Sequence, residues 1–295
     1  MVRSTSNNGV EVELWESLVI ELLMTVFAYQ HSFNWDNLGA GRDGLQRIKK
    51  GMSPELKREL DTLDLARSQV HTWTTLAAWT WLQRLREPEP TAAALESEPD
   101  GADLPWPANT RQRLAKVIRL WHRDLLAAQA DEVRERLRRE AEAKRELAAR
   151  LTPEDLIETA TNGIVWQPRP EVCRVILVPT QAMSPWSTHE HVRDAVLFTF
   201  PIAEPIDPLE RMQRLACVLS DRSRLAALRL LAERSLTLQE LADQLGVRKS
   251  TMHHHLAQLR AAGLLRVPYG TKTYSLRREP LRELGGALKN FGRES

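Results

Sequence analysis

Residues 236–263 read LTLQELADQLGVRKSTMHHHLAQLRAAG, and the spacing of their apolar positions decides how the C-terminal part of the chain must fold. Leu238, Leu241, Ala242 and Leu245 recur at helical intervals, and Thr237 is placed to accept from the first free amides of that short helix. Gly246 follows the last periodic residue, where a left-handed turn disfavours a β-carbon, and Val247 can plug the corner. A second helix starts at once. Its Met252, Leu256 and Leu259 face the first helix, so Lys249, Ser250, Thr251, His253 and His254 look outward while His255 turns in against the scaffold. The stretch is a helix-turn-helix whose outward side chains are all hydrogen-bonding types.

Beyond Gly263 come two short β runs, Leu264, Leu265 and Val267, then Thr273, Tyr274 and Leu276, with Pro268, Tyr269, Gly270 and Thr271 supplying turn chemistry. This is a hairpin wing. A wing directly after a helix-turn-helix can reach phosphates beside the groove that the second helix enters, so the pattern points to a double-stranded DNA operator as partner. Candidate DNA contacts are Arg248, Lys249, Ser250, Thr251, His253 and His254 from the second helix, and Arg266 and Lys272 flanking the wing turn. One recognition helix reads few base pairs, so a homodimer on a palindromic site is expected.

Residues 212–284 resemble the winged-helix domain of the ArsR family of transcriptional regulators. The resemblance rests on RLACVLSDRSRLAALRLLAERSLTLQELADQLGVRKSTMHHHLAQLRAAGLL and on YSLR at the close of the wing, and covers about a quarter of the chain. It departs from the family at two places. The cysteine pair of the family's metal sensors has no counterpart in LTLQELADQ, and Arg248 stands where the family usually caps the recognition helix with serine, so the cap is expected to slide toward Ser250. What the resemblance implies is a DNA-binding regulator with an extended N-terminal domain, a part of the likeness carried by RVILVPT, SPW and VLFTFPIAE.

Charge agrees with that placement. From Pro208 onward there are 16 Lys and Arg against 8 Asp and Glu, a net +8, which leaves −6 on the remainder of the 295 residues. Excess cationic charge at the helix-turn-helix end is what phosphate binding needs. Cys173 and Cys217 lack any pairing pattern, and Cys217 reads as a small hydrophobe on the apolar face of a helix. The polar start MVRSTSNNGVEVE is no signal peptide and no apolar run approaches membrane-spanning length, so a cytoplasmic protein without membrane association is expected.

The expected fold class is mainly α with small β elements. A helical domain spans residues 1–151, a small β-containing segment 152–205, and the winged helix 206–295. Leu14, Trp15, Leu18, Val19, Leu22, Leu23, Val26 and Phe27 predict an amphipathic helix over about 12–31. A polar loop with Gly39, Gly41 and Gly44 follows, then a helix opening at Ser53-Pro54 and another over 65–85. Residues 87–109 are acidic and proline-rich, either a lid or a disordered insertion. Residues 110–151 contain no proline or glycine and predict one long helix. Its narrow seam of Val133, Leu137, Ala141 and Leu147 or Ala148 suits either a second subunit or a solvated helix braced by pairs such as Glu135 with Arg139. After the TPED cap at residue 152, β runs at 164–166, 174–178 and 195–200 predict a small antiparallel sheet.

Other chemistry is sparsely signalled. His189 and His191 could share one face of a strand and suit zinc, but no third ligand has a defined spacing, so a metal-responsive regulator is the alternative and no metal is expected. Trp73, Trp79, Trp81 and Trp121 are either core or the walls of a pocket for an organic effector. No GxSxG, phosphate-cradling glycine loop, HExxH or framed carboxylate pair is present, which argues against an enzyme, and no cofactor is expected. The N-terminal domain is thus expected to sense an effector or to set assembly, or else to be a protein-interaction module.

Overall fold

Val10, Val12 and Leu14 alternate with Glu11 and Glu13, a period of two that suits a strand better than the start of a helix. In the computed structural model, which describes residues 4–5, 10–30, 38–62, 108–192, 194–202 and 207–291, this stretch is a strand, Glu11–Leu14. The expected helix over 12–31 therefore starts later, at Leu18. Two compact units divide the chain. One comprises Met1–Pro153 with Arg169–Ile202, the other Glu154–Pro168 with Ala203–Ser295. The stretch 152–205, expected as a single segment, is thus shared between them.

In the first unit a five-stranded sheet has the order β1 (Ser4–Thr5), β2 (Glu11–Leu14), β4 (Arg174–Thr180), β6 (Ala195–Pro201), β5 (Thr188–Val192), while β3 (Ile164–Val165) belongs to the other unit. The sheet is not antiparallel as expected. β2, β4 and β6 run parallel, with Val12 opposite Val175 and Ile176 opposite Leu197, and only the outer strands β1 and β5 are antiparallel to their neighbours. Parallel strands need both faces covered, and RVILVPT and AVLFTFP are accordingly apolar runs buried along nearly their whole length. β5 is not among the three predicted β runs because THEHV carries three strongly polar residues, although the His189–His191 reading already sets that pair on a strand.

Among the described residues this unit also has helices α1 (Leu18–Gln30), α2 (Gly41–Gly51), α3 (Pro54–Thr62), α4 (Ala108–Trp121) and α5 (Ala130–Ala148). α2 occupies much of what reads as a glycine loop, because only Leu45 and Ile48 supply it with an apolar stripe. Ser53 opens α3 as expected, its Oγ accepting from the Leu56 amide at 3.2 Å. The expected helix over 110–151 is interrupted, with a π turn at His122–Leu126 and a 3-10 turn at Ala127–Gln129. The α2–α3 corner docks there. Asp124 accepts from the Ser53 amide at 3.0 Å, and a β-carbon on Gly51 would lie 2.6 Å from Leu125 Cδ2. The α5 seam meets neither a second subunit nor solvent. Val133 and Leu137 join Ile176, Val178 and Leu22 in one core, while Glu135 and Arg139 pair on the outer side at 3.2 Å.

Trp121 is 1% exposed and packs edge to face on Tyr29, with ring centroids 5.7 Å apart, so it is a core residue rather than a pocket wall. Trp73, Trp79 and Trp81, the predicted helix over 65–85 and residues 87–107 of the acidic loop lie outside the described residues; residues 108–109 of that loop open α4. One ionisable group sits deep in the same core. Glu21 on α1 accepts from Thr180 Oγ1 at 2.6 Å and from the Gln181 amide at 3.0 Å, and burial pushes its carboxyl up to about 7 against the opposing pull of those hydrogen bonds.

The second unit begins with α6 (Pro153–Ala160), which has its first residue in the other unit, and β3. It continues through α7 (Pro208–Leu219), α8 (Arg222–Glu233), β7 (Leu236–Thr237), α9 (Leu238–Leu245), α10 (Lys249–Ala261), β8 (Leu265–Pro268), β9 (Thr273–Leu276) and α11 (Glu279–Asn290). Its sheet has the order β3-β8-β9-β7. Cys217 on α7 is exposed, contrary to the buried placement expected, because α7 turns only Leu215 fully inward. Cys173 is exposed as well. Among the described residues no helix is long and apolar enough to cross a membrane.

Candidate nucleic-acid interface

The α9–α10 pair is wired by short-range contacts. Thr237 Oγ1 accepts from the Glu240 amide at 3.3 Å while Glu240 Oε2 accepts from the Thr237 amide at 2.7 Å, a reciprocal cap that also holds the Glu240 carboxyl below its ordinary range. Gly246 ends α9 with φ +64°, and the Val247 amide donates back to the Ala242 carbonyl at 3.0 Å. α10 then starts at Lys249 with Arg248 at its N-cap and no side-chain cap, so the cap does not slide to Ser250.

Met252, Leu256 and Leu259 are buried in one core with Leu228, Leu231, Leu241 and Leu264. That anchoring fixes the rotation of α10 and leaves Arg248, Lys249, Ser250, Thr251, His253 and His254 exposed. His254 is 3.5 Å from Gln258 Nε2 one turn on. His255 is buried, with Nδ1 3.9 Å from Asp221 Oδ1. Asp221 caps α8 by accepting from the Arg224 amide at 2.9 Å, and this bond holds its carboxyl below the ordinary range. The outward set is therefore a short polar row on the first two turns of α10, presenting donors and acceptors of the kind that pair with base edges.

β8 and β9 form the wing, with Leu265 opposite Leu276 and Arg266 opposite Ser275. Its turn is closed by Thr271 Oγ1 donating to the Pro268 carbonyl at 2.9 Å, and Gly270 takes φ +75°. Lys272 is exposed at this turn. Arg266 carries partners that the sequence reading does not name. Its Nε donates to Glu158 Oε1 at 2.6 Å, with Glu279 Oε1 3.5 Å from its Nη2, so carboxylates hold its partly exposed guanidinium. Glu158, Asn162 and Gly163 were not singled out from sequence, although Asn-Gly is itself a turn signal.

Among the described residues no group of three His, Cys, Asp or Glu could hold a metal ion, and His189 and His191 lie exposed on β5. Two surface clefts among the described residues are lined by polar and charged side chains, one by Arg47, Lys49 and Lys50 with Asp43 and Gln46, the other chiefly by Arg58, Arg113, Lys116, Glu55 and Glu59.

Residues 219–268 match the model of a helix-turn-helix domain family. Among solved structures the chain is similar to the crystal structure of NolR from Sinorhizobium fredii, at 24% identity over 30% of this chain and 97% of that one, with a TM-score of 0.25. No curated protein matches the chain. Residues 219–268 are thus a helix-turn-helix domain, the DNA-binding module of many transcription regulators.

Proposed function

We propose that this protein is a non-enzymatic, sequence-specific transcriptional regulator of the ArsR type that binds a palindromic DNA operator as a homodimer. The observation that carries the reading is the exposed row Lys249, Ser250, Thr251 and His253 on a helix whose rotation is fixed by three buried side chains, beside a wing with Lys272 at its turn. Dimerisation is supported by Leu209 on α7 and Leu288 on α11, with Phe291 just beyond, all more than half exposed on or next to two helices joined by the Arg211–Glu283 ion pair. The N-terminal unit takes the regulatory role, responding to an organic effector or setting assembly.

Gel-shift titration of operator and random duplex DNA tests the reading. Thr251→Ala and His253→Ala should each cut the ratio of operator to random affinity by about fivefold or more, the loss of one base contact worth roughly 1–3 kcal/mol. Lys272→Ala should weaken both DNAs alike and flatten the slope of log K against log salt by about 0.9. Unchanged discrimination in both α10 variants would place another face of the domain in the groove.

A further inference from the structure

Residues 154–168 belong to the winged-helix unit, although the chain on either side of them belongs to the other unit. Within its unit this stretch touches the elements that the proposed function assigns to DNA. β3 pairs in parallel with β8, Ile164 opposite Val267, and the amides of Val267 and Tyr269 donate to the carbonyls of Gly163 and Val165 at 2.8 and 2.9 Å. The Trp166 and Tyr269 rings pack 5.0 Å apart. Glu158 accepts from Arg266 and also lies 3.6 Å from Arg277 Nε, while Arg277 Nη1 donates to Asn162 Oδ1 at 2.8 Å.

The fit is close at two glycines. A β-carbon on Gly163 would stand 2.1 Å from the Leu265 carbonyl oxygen, and one on Gly263, just past α10, would stand 2.3 Å from Asn162 Oδ1. Both residues have positive φ, +115° and +70°. Residues 162–163 are thus seated against the end of the recognition helix and the start of the wing together.

We propose that residues 154–168 are an autoinhibitory clasp through which the N-terminal unit governs DNA affinity: docked, Glu158 withholds Arg266 from phosphate, and undocking frees that cation. The inference rests on the DNA-binding reading. A guanidinium neutralised by a carboxylate displaces no counterion from DNA, so its release adds one phosphate contact and steepens the salt dependence. Asp155 on the same stretch adds a Coulombic pull on Arg266, and Glu279 on α11 is farther away and more exposed than Glu158, so its hold is weaker. Because α5 precedes the clasp and β4 follows it, a rearrangement of the N-terminal unit pulls on both its ends.

The test uses the full chain and a random-sequence duplex titrated across salt concentrations. Glu158→Gln should steepen the slope of log K against log salt by about 0.9, which is about eightfold tighter binding at 0.1 M if the two lines meet at 1 M. Glu158→Gln combined with Arg266→Gln should return to the wild-type slope. Gly163→Ala, which cannot seat β3 on β8, should steepen the slope in the same way and speed hydrogen exchange at the Val267 and Tyr269 amides at least tenfold. An unaltered or flatter slope in Glu158→Gln, while the wild type binds DNA, overturns the clasp and leaves the DNA reading standing. Failure of the wild type to bind any duplex overturns both. Unchanged exchange in Gly163→Ala, or faster exchange with an unaltered slope, also overturns the clasp.

Discussion

The two sheets of this molecule are held in opposite ways. β4 and β6 of the N-terminal unit are buried along nearly their full length, whereas β9 of the wing is half-exposed throughout and β8 is half-exposed beyond its first residue. The first sheet is a partition between apolar layers, and the deep Glu21 carboxylate packed against it is solvated by neutral donors from Thr180 and Gln181. The second is thin, and guanidinium–carboxylate pairs and backbone bonds along β3 brace it. Each unit is therefore vulnerable to a different kind of change. Removing volume or adding charge damages the N-terminal sheet, while redistributing charge retunes the wing without unfolding it.

The largest expected effect is on packing. Phe198 is fully buried at the centre of β6, and Phe198→Ala should lower the stability of the N-terminal unit by about 3–5 kcal/mol, read by urea unfolding of the full chain with hydrogen exchange at the β4 and β6 amides. A loss no greater than that of an exposed-site variant would mean the partition is loosely filled and the contrast between the sheets is false.

The next effect is on protonation. Glu21 folds with its carboxyl near 7, above the ordinary value of 4.5, so the folded state binds this proton more tightly than the unfolded state does. Its contribution is fully present below pH 4.5 and is lost as pH rises through 7. Wild-type stability should fall by on the order of 3 kcal/mol across that window, and Glu21→Gln should flatten the decline. A parallel decline in both proteins, measured by unfolding at several pH values, would assign the proton to another group.

The smallest effect tests the C-terminal side. Thr237→Ala removes one half of the reciprocal cap on α9 and should cost about 1 kcal/mol, with hydrogen exchange rising in α9 and not in the N-terminal sheet. Spread of the change into β4 or β6 would show that the two units do not respond separately.

What could be read beforehand follows the same divide. Thr237, Gly246, Met252, Leu256 and Leu259 announce the helix-turn-helix because each acts on neighbours within a few turns of chain. The outward row of α10 follows from that periodicity alone. The N-terminal sheet was only half legible. RVILVPT and AVLFTFP are visible as strands, but the parallel pairing of residues 11–14 with 174–177 is written in no local signal, and so β2 was absorbed into the following helix. The same holds for Arg266. Its partner Glu158 lies on a helix far back in the chain, and a cation counted from sequence alone looks available. Trp121 illustrates the converse, since an aromatic on an apolar helix face suits core and pocket equally until its neighbour Tyr29 is seen.

The chain passes between the two units at 153/154, 168/169 and 202/203. The winged helix is therefore not a cassette that one cut can excise. A gene fusion or expression fragment taking residues 207–291 alone would carry the complete reading helix and wing turn but leave behind the strand that edges β8, exposing the Tyr269 ring and freeing Arg266 and Arg277 from Glu158. Such a fragment would be a stickier and less discriminating object than the domain in its own chain. Recombination that shuffles the two halves of this architecture has to carry residues 154–168 with the C-terminal half or build a replacement for them.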